Sequence, residues 1–270
     1  MKLKITNKNY CATIVKVDNL KPIIRLNARP SKPDSRDLVY NSTFVTLPNS
    51  IDLRQYDSNT ENQDNLGSCT ANAITSGYEV VVKILYPEQF KELSRLFVYY
   101  HSRLFSDELD SDAGSYIRDG LKSIKNYGVC SEELWPYDII KFTDQPYPRC
   151  YLDASKRQVS SYNILFTNDE IKDVLASKRP VVVGIEIFKN FDDVTKEKPF
   201  VSMPDYLTYS LGNHAVLIMG YDNTLNCFLI KNSYGVNWGD QGYAWIPYEY
   251  ISLYAGERWC FDISNQSTNL

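Results

Sequence analysis

The 270-residue chain carries only two histidines and three methionines, and its 29 basic residues are outnumbered by 33 acidic ones. A net charge of -4 excludes the broad electropositive footprint that phosphate-backbone binding needs, so nucleic acid is not an expected partner. Long apolar runs are missing too. No stretch approaches the roughly 20 apolar residues of a membrane-spanning helix, and no membrane partner is expected. The opening MKLKITNKNYCATIVKVDNL mixes charged and apolar residues closely and lacks the roughly 7–15-residue apolar core of a secretory signal. We therefore expect an intracellular, reducing compartment, and read the sequons at Asn41 and Asn265 as ordinary polar sequence. The six cysteines, Cys11, Cys69, Cys130, Cys150, Cys227 and Cys260, are irregularly spaced and form no C-x-x-C pair, which favours free thiols over a disulfide framework. So few histidines also speak against zinc, and no motif asks for a cofactor or metal.

What is present is 43% hydrophobic residues over a length that allows one large domain or two lobes sharing a core. Residues 1 to 46 end in the proline-punctuated ARPSKPDSRDLVYNSTF and read as an extension or pro-segment. A domain over 47–270 begins at LPNSIDLR. In SCTANAITSGYEVVVKIL, Ala71, Ile74, Tyr78, Val81, Val82 and Leu85 fall on one helical face, with Ser68 placed as N-cap. KELSRLFVYYHSRLF repeats the pattern through Leu93, Leu96, Phe97, Tyr100 and Leu104, and YIRDGLKSIKNYG predicts a third helix stopping at Gly128. The second half turns to strand-like runs, QVSSYNIL, VVVGIEIF, HAVLIMGYD, CFLIKNS and GYAWIP, with NDEIKDVLASK as its one predicted helix. Helices first and strands later predict an α+β fold with two lobes and a cleft between them.

The chemistry centres on QDNLGSCTANA. A thiol at the first turn of a helix feels the positive end of the helix dipole, and a neighbouring imidazolium lowers its pKa further, so Cys69 is expected to ionise at neutral pH. His101 lies inside a periodic helix and reads as a packed residue. His214 follows Gly212-Asn213 and opens an apolar strand that would fix its ring. Asn232 ends the next apolar run, where its amide can accept a hydrogen bond from one imidazole nitrogen and leave the other to the thiol. Taken singly, each residue has a plainer structural role: a buried thiol, a strand-end histidine, a turn-forming asparagine.

The order Q-x5-C, then N-H-A, then K-N-S-Y-G-x-x-W-G-x-x-G-Y resembles the papain/cathepsin family of cysteine proteases from about Leu47 to the C-terminus. The resemblance implies a papain-like fold, with a helical left lobe, an antiparallel β-barrel-like right lobe and the active site in the cleft. It also implies the roles: Cys69 as nucleophile, His214 as general base and acid, Asn232 as the orienter of that imidazole, and Gln63 as oxyanion-hole donor beside the Cys69 N–H. Trp238 resembles the tryptophan that shields the histidine–asparagine bond, Gly114 the glycine whose backbone pairs with an extended substrate, and Ala215 a residue lining the main specificity pocket. The acidic DSDAG around Gly114 lacks the further ligands of a calcium loop.

The implied activity is cysteine-type peptide hydrolysis through a covalent thioester. Its partners are polypeptide substrates, and residues 1–46 are an autoinhibitory segment contacting the cleft, as in a zymogen. With His214 assigned to catalysis, only His101, inside a predicted helix, is left as a histidine that could cap the cleft, so we expect an endopeptidase. The wording departs from the family at Leu66, where a cysteine is usual, at Thr70, where an aromatic residue is usual, and at Tyr234, where a tryptophan is usual. GSCTAN resembles the bacterial and viral branch, and a viral source would place the protein in the virion or host cytoplasm. Two other readings compete: a catalytically silent peptide-binding protein of the same fold, and a Cys-His acyltransferase, which more often orients its imidazole with an aspartate.

Overall fold

The computed structural model describes residues 26–42, 46–205 and 207–264. In chain order the elements are β1 (Ala28–Arg29), β2 (Ser50–Asp52), α1 (Cys69–Leu85), α2 (Arg95–Leu104), β3 (Ser115–Tyr116), α3 (Ile117–Tyr127), α4 (Pro148–Ala154), β4 (Val159–Ile164), α5 (Asn168–Ala176), β5 (Val181–Ile187), β6 (Gly212–Asp222), β7 (Cys227–Lys231), β8 (Tyr243–Pro247), α6 (Tyr248–Tyr254) and β9 (Ala255–Ile263). Helices α1 to α4 make one lobe. The other is a seven-stranded sheet in the order β4-β9-β5-β6-β7-β8, with β2 pairing β6.

The four predicted helices and five predicted strands are all present, and six elements are additions to them, of which β1, β2 and β3 have only two or three residues each. Helices α4 and α6 are too short for a visible period. Strand β9, GERWCFDI within its bounds, hides its alternation behind a buried Glu-Arg pair. The sheet has the expected antiparallel character: every strand pair within it is antiparallel, and since no pairing among the described residues joins β4 to β8, it is an open sheet and not a closed barrel.

Helix α1 is the hinge of the architecture. Fourteen of its residues are buried, polar ones included, because it runs between the other helices and the face of the sheet. Its β-branched run Val80-Val81-Val82 has ordinary helix propensity, so tertiary packing holds it. Gly77 allows the close approach: a Cβ there would stand 3.2 Å from Leu217 and 3.3 Å from Phe261. On its other side Glu79 receives both arms of the Arg95 guanidinium, at 3.0 and 2.9 Å, and the Leu93 N–H at 2.8 Å. Removing either partner of this buried pair would cost about 3–5 kcal/mol. The same bonds start α2 at Arg95, two residues after Leu93, where Ser94 Oγ caps the helix by accepting from the Phe97 N–H.

Candidate active site

Cys69 is the first residue of α1 and is wholly buried. The turn leading to it is fixed from several sides. Gly67 donates its N–H to the Asp112 carboxylate at 2.9 Å, and the Ser68 N–H bonds the Leu66 carbonyl at 2.8 Å. Ser68 occupies the N-cap as predicted but makes no side-chain cap bond; its hydroxyl instead meets the Tyr137 hydroxyl at 2.5 Å. The Tyr137 O–H in turn donates to the Gln63 carbonyl at 3.0 Å.

Gln63 is buried and held by both ends of its amide. Its Nε2 donates to the Leu66 carbonyl at 3.0 Å, and its Oε1 accepts from the Ser233 hydroxyl at 2.6 Å. The backbone adds Gln63 N–H to Ser233 carbonyl at 2.9 Å. Ser233 thus ties the loop before the nucleophile to the residue after Asn232, a bond across both lobes. Asp112, Tyr137 and Ser233 were not singled out in the sequence, where an aspartate, a tyrosine and a serine in loops carry no periodic signal.

On the sheet side, β6 pairs with β5 through His214–Ile185 and Ala215–Gly184, which holds the imidazole in register. His214 Nε2 donates to Asn232 Oδ1 at 2.8 Å. The same Oδ1 accepts the Ser233 N–H at 2.8 Å, so the amide orientation is set by two donors. His214 Nδ1 is buried without a hydrogen-bond partner among the described residues. The Ala215 N–H, next in the chain, is directed at the Cys69 sulfur, which brings the thiol and the histidine-bearing strand together.

The aromatic cover differs from the expectation. The ring against His214 is that of Tyr234, with centroids 4.8 Å apart. Trp238 stacks on Phe191 at 6.0 Å and meets Tyr234 edge-on at 6.1 Å, so it supports the cover from behind. Shielding of the His214–Asn232 bond falls to Tyr234, the position where the sequence departs from the family's wording.

A segment of the chain's own N-terminal part fills the cleft. Asn27 bridges Asn213 in parallel and sends Nδ2 to the Asp112 carbonyl at 3.2 Å, while β1 pairs in parallel with β3. Its backbone passes so close to Gly114, at φ 73°, that a Cβ there would overlap the Asn27 carbonyl. The Asn27 N–H is directed at the Cys69 sulfur. Beyond the cleft the strap is tied down by an Arg29–Glu108 ion pair, by Ser31 N–H to Glu257 at 3.2 Å, by Arg118 to Asp37 at 2.8 Å, and by Ser42 to Asp173 at 2.7 Å.

Covering the site changes its electrostatics. Burial pushes the Cys69 thiol up to about 11, overriding the N–H groups of Ala215, Thr70 and Asn27 that favour the thiolate. Burial likewise lowers His214 to about 4, against the support of Asn232. The expected ionised thiol is therefore corrected for this closed form. Desolvation outweighs the helix dipole, and the pair is neutral at pH 7.

His101, the other histidine, lies inside α2 and shares nothing with this site; its Nδ1 donates to the Phe97 carbonyl at 2.8 Å. All five described cysteines are free and buried, and Cys11 lies outside the described residues. No group of three metal-binding side chains occurs among the described residues, and no described helix is long and apolar enough to cross a membrane.

Residues 47–254 match the model of the family described as papain family cysteine protease. The chain is 37% identical over 233 residues to an uncharacterized peptidase C1-like protein of Acanthamoeba polyphaga mimivirus, covering 82% of this chain and 72% of that one. It is 30% identical to cysteine proteinase 2 of Zea mays over 74% of its own length, and spans 55% of that relative. Among solved structures, the cysteine protease Xylellain from Xylella fastidiosa superposes with a TM-score of 0.80 at 30% identity, covering 90% of this chain and 98% of that one.

Proposed function

Because the chain belongs to the papain family of cysteine proteases, we propose that it hydrolyses peptide bonds in polypeptides as an endopeptidase, and that residues 26–42 hold it shut in the form described here. The observation that carries the reading is the His214–Asn232 bond of 2.8 Å, which leaves Nδ1 uncommitted on the strand whose next N–H meets the Cys69 sulfur. With the strap displaced, water returns and the desolvation that keeps the pair neutral is relieved. A Cys69 thiolate and a His214 imidazolium then form, the second supported by Asn232.

The thiolate attacks the peptide carbonyl carbon, His214 gives its proton to the departing amine, and water attacks the thioester with His214 as base. Gln63 Nε2 and the Cys69 N–H are the donors assigned to the oxyanion. Losing one such donor costs typically about 2.7–4 kcal/mol of transition-state stabilisation. Gly114 and Ala215 are assigned to the substrate backbone and a side-chain pocket; the Asn27 backbone now lies against Gly114.

The strap is itself polypeptide, and its Asn27 N–H is among the groups that favour the Cys69 thiolate against burial. The endopeptidase reading is supported by the burial of His101, which leaves it unable to hold a substrate carboxylate at the cleft. Treatment of the full chain with an epoxysuccinyl thiol-protease inhibitor, before and after cleavage between residues 42 and 47, tests both parts. Labelling at Cys69 and peptide turnover should rise together on cleavage. A folded, cleaved protein that never labels would leave the silent peptide-binding reading instead, and dominant release of C-terminal dipeptides would contradict endopeptidase action.

A further inference from the structure

Behind Asn232, between α1 and the end of β7, lies a small cavity of about 10 Å³ lined by Asn72, Ala73, Ser76, Glu61, Ala215 and Asn232 among others. Its volume is about that of one water-sized sphere. Asn232 itself forces the question of what occupies it. Two donors, His214 Nε2 and the Ser233 N–H, fix its Oδ1, so the amide nitrogen must point the other way. That Nδ2 is buried and has no partner among the described residues. A buried N–H donor left unmet is costly, and the polar lining supplies acceptors.

Asn72 is the best placed of them. Both hydrogens of its amide go to Ser68, one to the carbonyl and one to the hydroxyl, each at 3.1 Å, which leaves its own side-chain oxygen to accept. Ser76 adds a hydroxyl and Glu61 a carboxylate to the same walls.

We propose that this cavity is a one-water site: the water accepts from Asn232 Nδ2, donates to Asn72 Oδ1 and to Ser76 or Glu61, and makes Asn72 a positioning residue for the reaction. The inference rests on the peptidase reading and extends it. A continuous circuit results, from His214 through Asn232, water, Asn72, Ser68 and Tyr137 to the Gln63 carbonyl. It locks the orienter of the base to the turn that carries the nucleophile, across the two lobes. Asn72 acts through Ser68 and Asn232, touching neither substrate nor reacting atoms.

Ala73, which also lines the cavity, provides the test without altering any polar group already in place. A serine there carries a hydroxyl into the space the water would hold and can accept from Asn232 in its stead; a valine fills the same space with carbon. In the full chain cleaved after folding, Ala73→Ser should keep kcat within about twofold, whereas Ala73→Val should lower kcat about tenfold with KM unchanged. The alkaline limb of the Ala73→Val pH profile should also move down, because a loosened Asn232 supports the imidazolium less. Equal losses in the two variants, or an unmoved pH profile in Ala73→Val, overturn the proposal; Ala73→Cys replaces the valine if that variant fails to fold.

A second measurement is independent of turnover. A high-resolution crystal structure of the full wild-type chain should show one ordered water within about 3.2 Å of Asn232 Nδ2 and Asn72 Oδ1, and Ala73→Ser should expel it. A dry cavity in the wild type overturns the proposal. Absence of peptidase activity with the water in place would instead count against the peptidase reading alone.

Discussion

The surroundings of the two histidines make the sharpest contrast in this molecule. His101 and His214 are both wholly buried, and burial lowers both to about 4. Their hydrogen bonds differ. His101 spends both nitrogens, Nδ1 on the Phe97 carbonyl at 2.8 Å and Nε2 on the Tyr151 hydroxyl at 3.1 Å, inside a cage that includes Phe97, Tyr100, Tyr127 and Tyr151. His214 spends Nε2 on Asn232 and leaves Nδ1 unmet. Burial and a depressed pKa therefore do not distinguish a reactive histidine from a structural one; an uncommitted nitrogen beside a thiol does.

The comparison breaks most visibly by deletion. Cys69→Ala or His214→Ala should abolish peptide turnover, a loss on the order of 10⁴-fold or more, while leaving the thermal midpoint near that of the wild type. His101→Leu should do the reverse. It should leave kcat within about twofold and destabilise the fold by about 2–3 kcal/mol, since the Tyr151 hydroxyl loses its partner. Thermal unfolding and steady-state kinetics on the same four proteins decide the matter. A His101 variant that folds normally and cannot turn over peptide would erase the distinction.

This contrast was largely legible in the sequence, because a histidine at the start of an apolar strand and one inside a periodic helix have different surroundings. Four of the helices and five of the strands were legible for the same reason, periodicity. What was not legible depends on where residues distant in the chain meet. Glu257 and Arg258 disguise β9 as polar sequence, yet they are buried, Glu257 bonding Trp259 and Ser31 and Arg258 the Ile251 carbonyl. The resemblance points to Trp238 as the shield, and only placement shows that the ring lying on His214 is that of Tyr234. The thiolate expected at the helix N-terminus was sound local chemistry, and it yields here to burial by a strap whose position no local rule supplies.

The orienting bond comes next in size. Asn232→Ala leaves His214 with neither nitrogen held, and kcat should fall on the order of a hundredfold with little change in KM, as is typical when the partner that aims a functional imidazole is removed. A drop in KM of similar size would point to substrate binding instead. His101 has no counterpart to this test, since its orientation is set by its own helix.

Acid should not separate the two neighbourhoods. The closed pair is a neutral thiol and imidazole, and opening moves the Cys69 proton to His214, so the closed and open forms bind the same number of protons while the ion pair persists. With no net proton taken up, closure neither gains nor loses from a change of pH between about 7 and 5. Hydrogen exchange in residues 26–42, corrected for intrinsic rates, should therefore keep a constant ratio to that of α2 across this window. Exchange in the strap that speeds selectively as pH drops would mean that the open form takes up a proton and that no thiolate–imidazolium pair forms on opening.

The smallest expected effects concern the tyrosines on either ring. The Tyr151 hydroxyl is a hydrogen-bond partner of His101, so Tyr151→Phe should remove about 1 kcal/mol of stability, readable as a lower thermal midpoint with kcat intact. Tyr234 covers His214 with its ring, and Asn232 Oδ1 already takes the Nε2 bond. Tyr234→Phe keeps that cover and should change kcat less than about twofold, whereas Tyr234→Ala exposes the His214–Asn232 bond to water and should cost more. If Tyr234→Phe were as damaging as Tyr234→Ala, the hydroxyl would have a part in catalysis, and the cover over His214 would resemble the hydrogen-bonded cage around His101 more than its placement indicates.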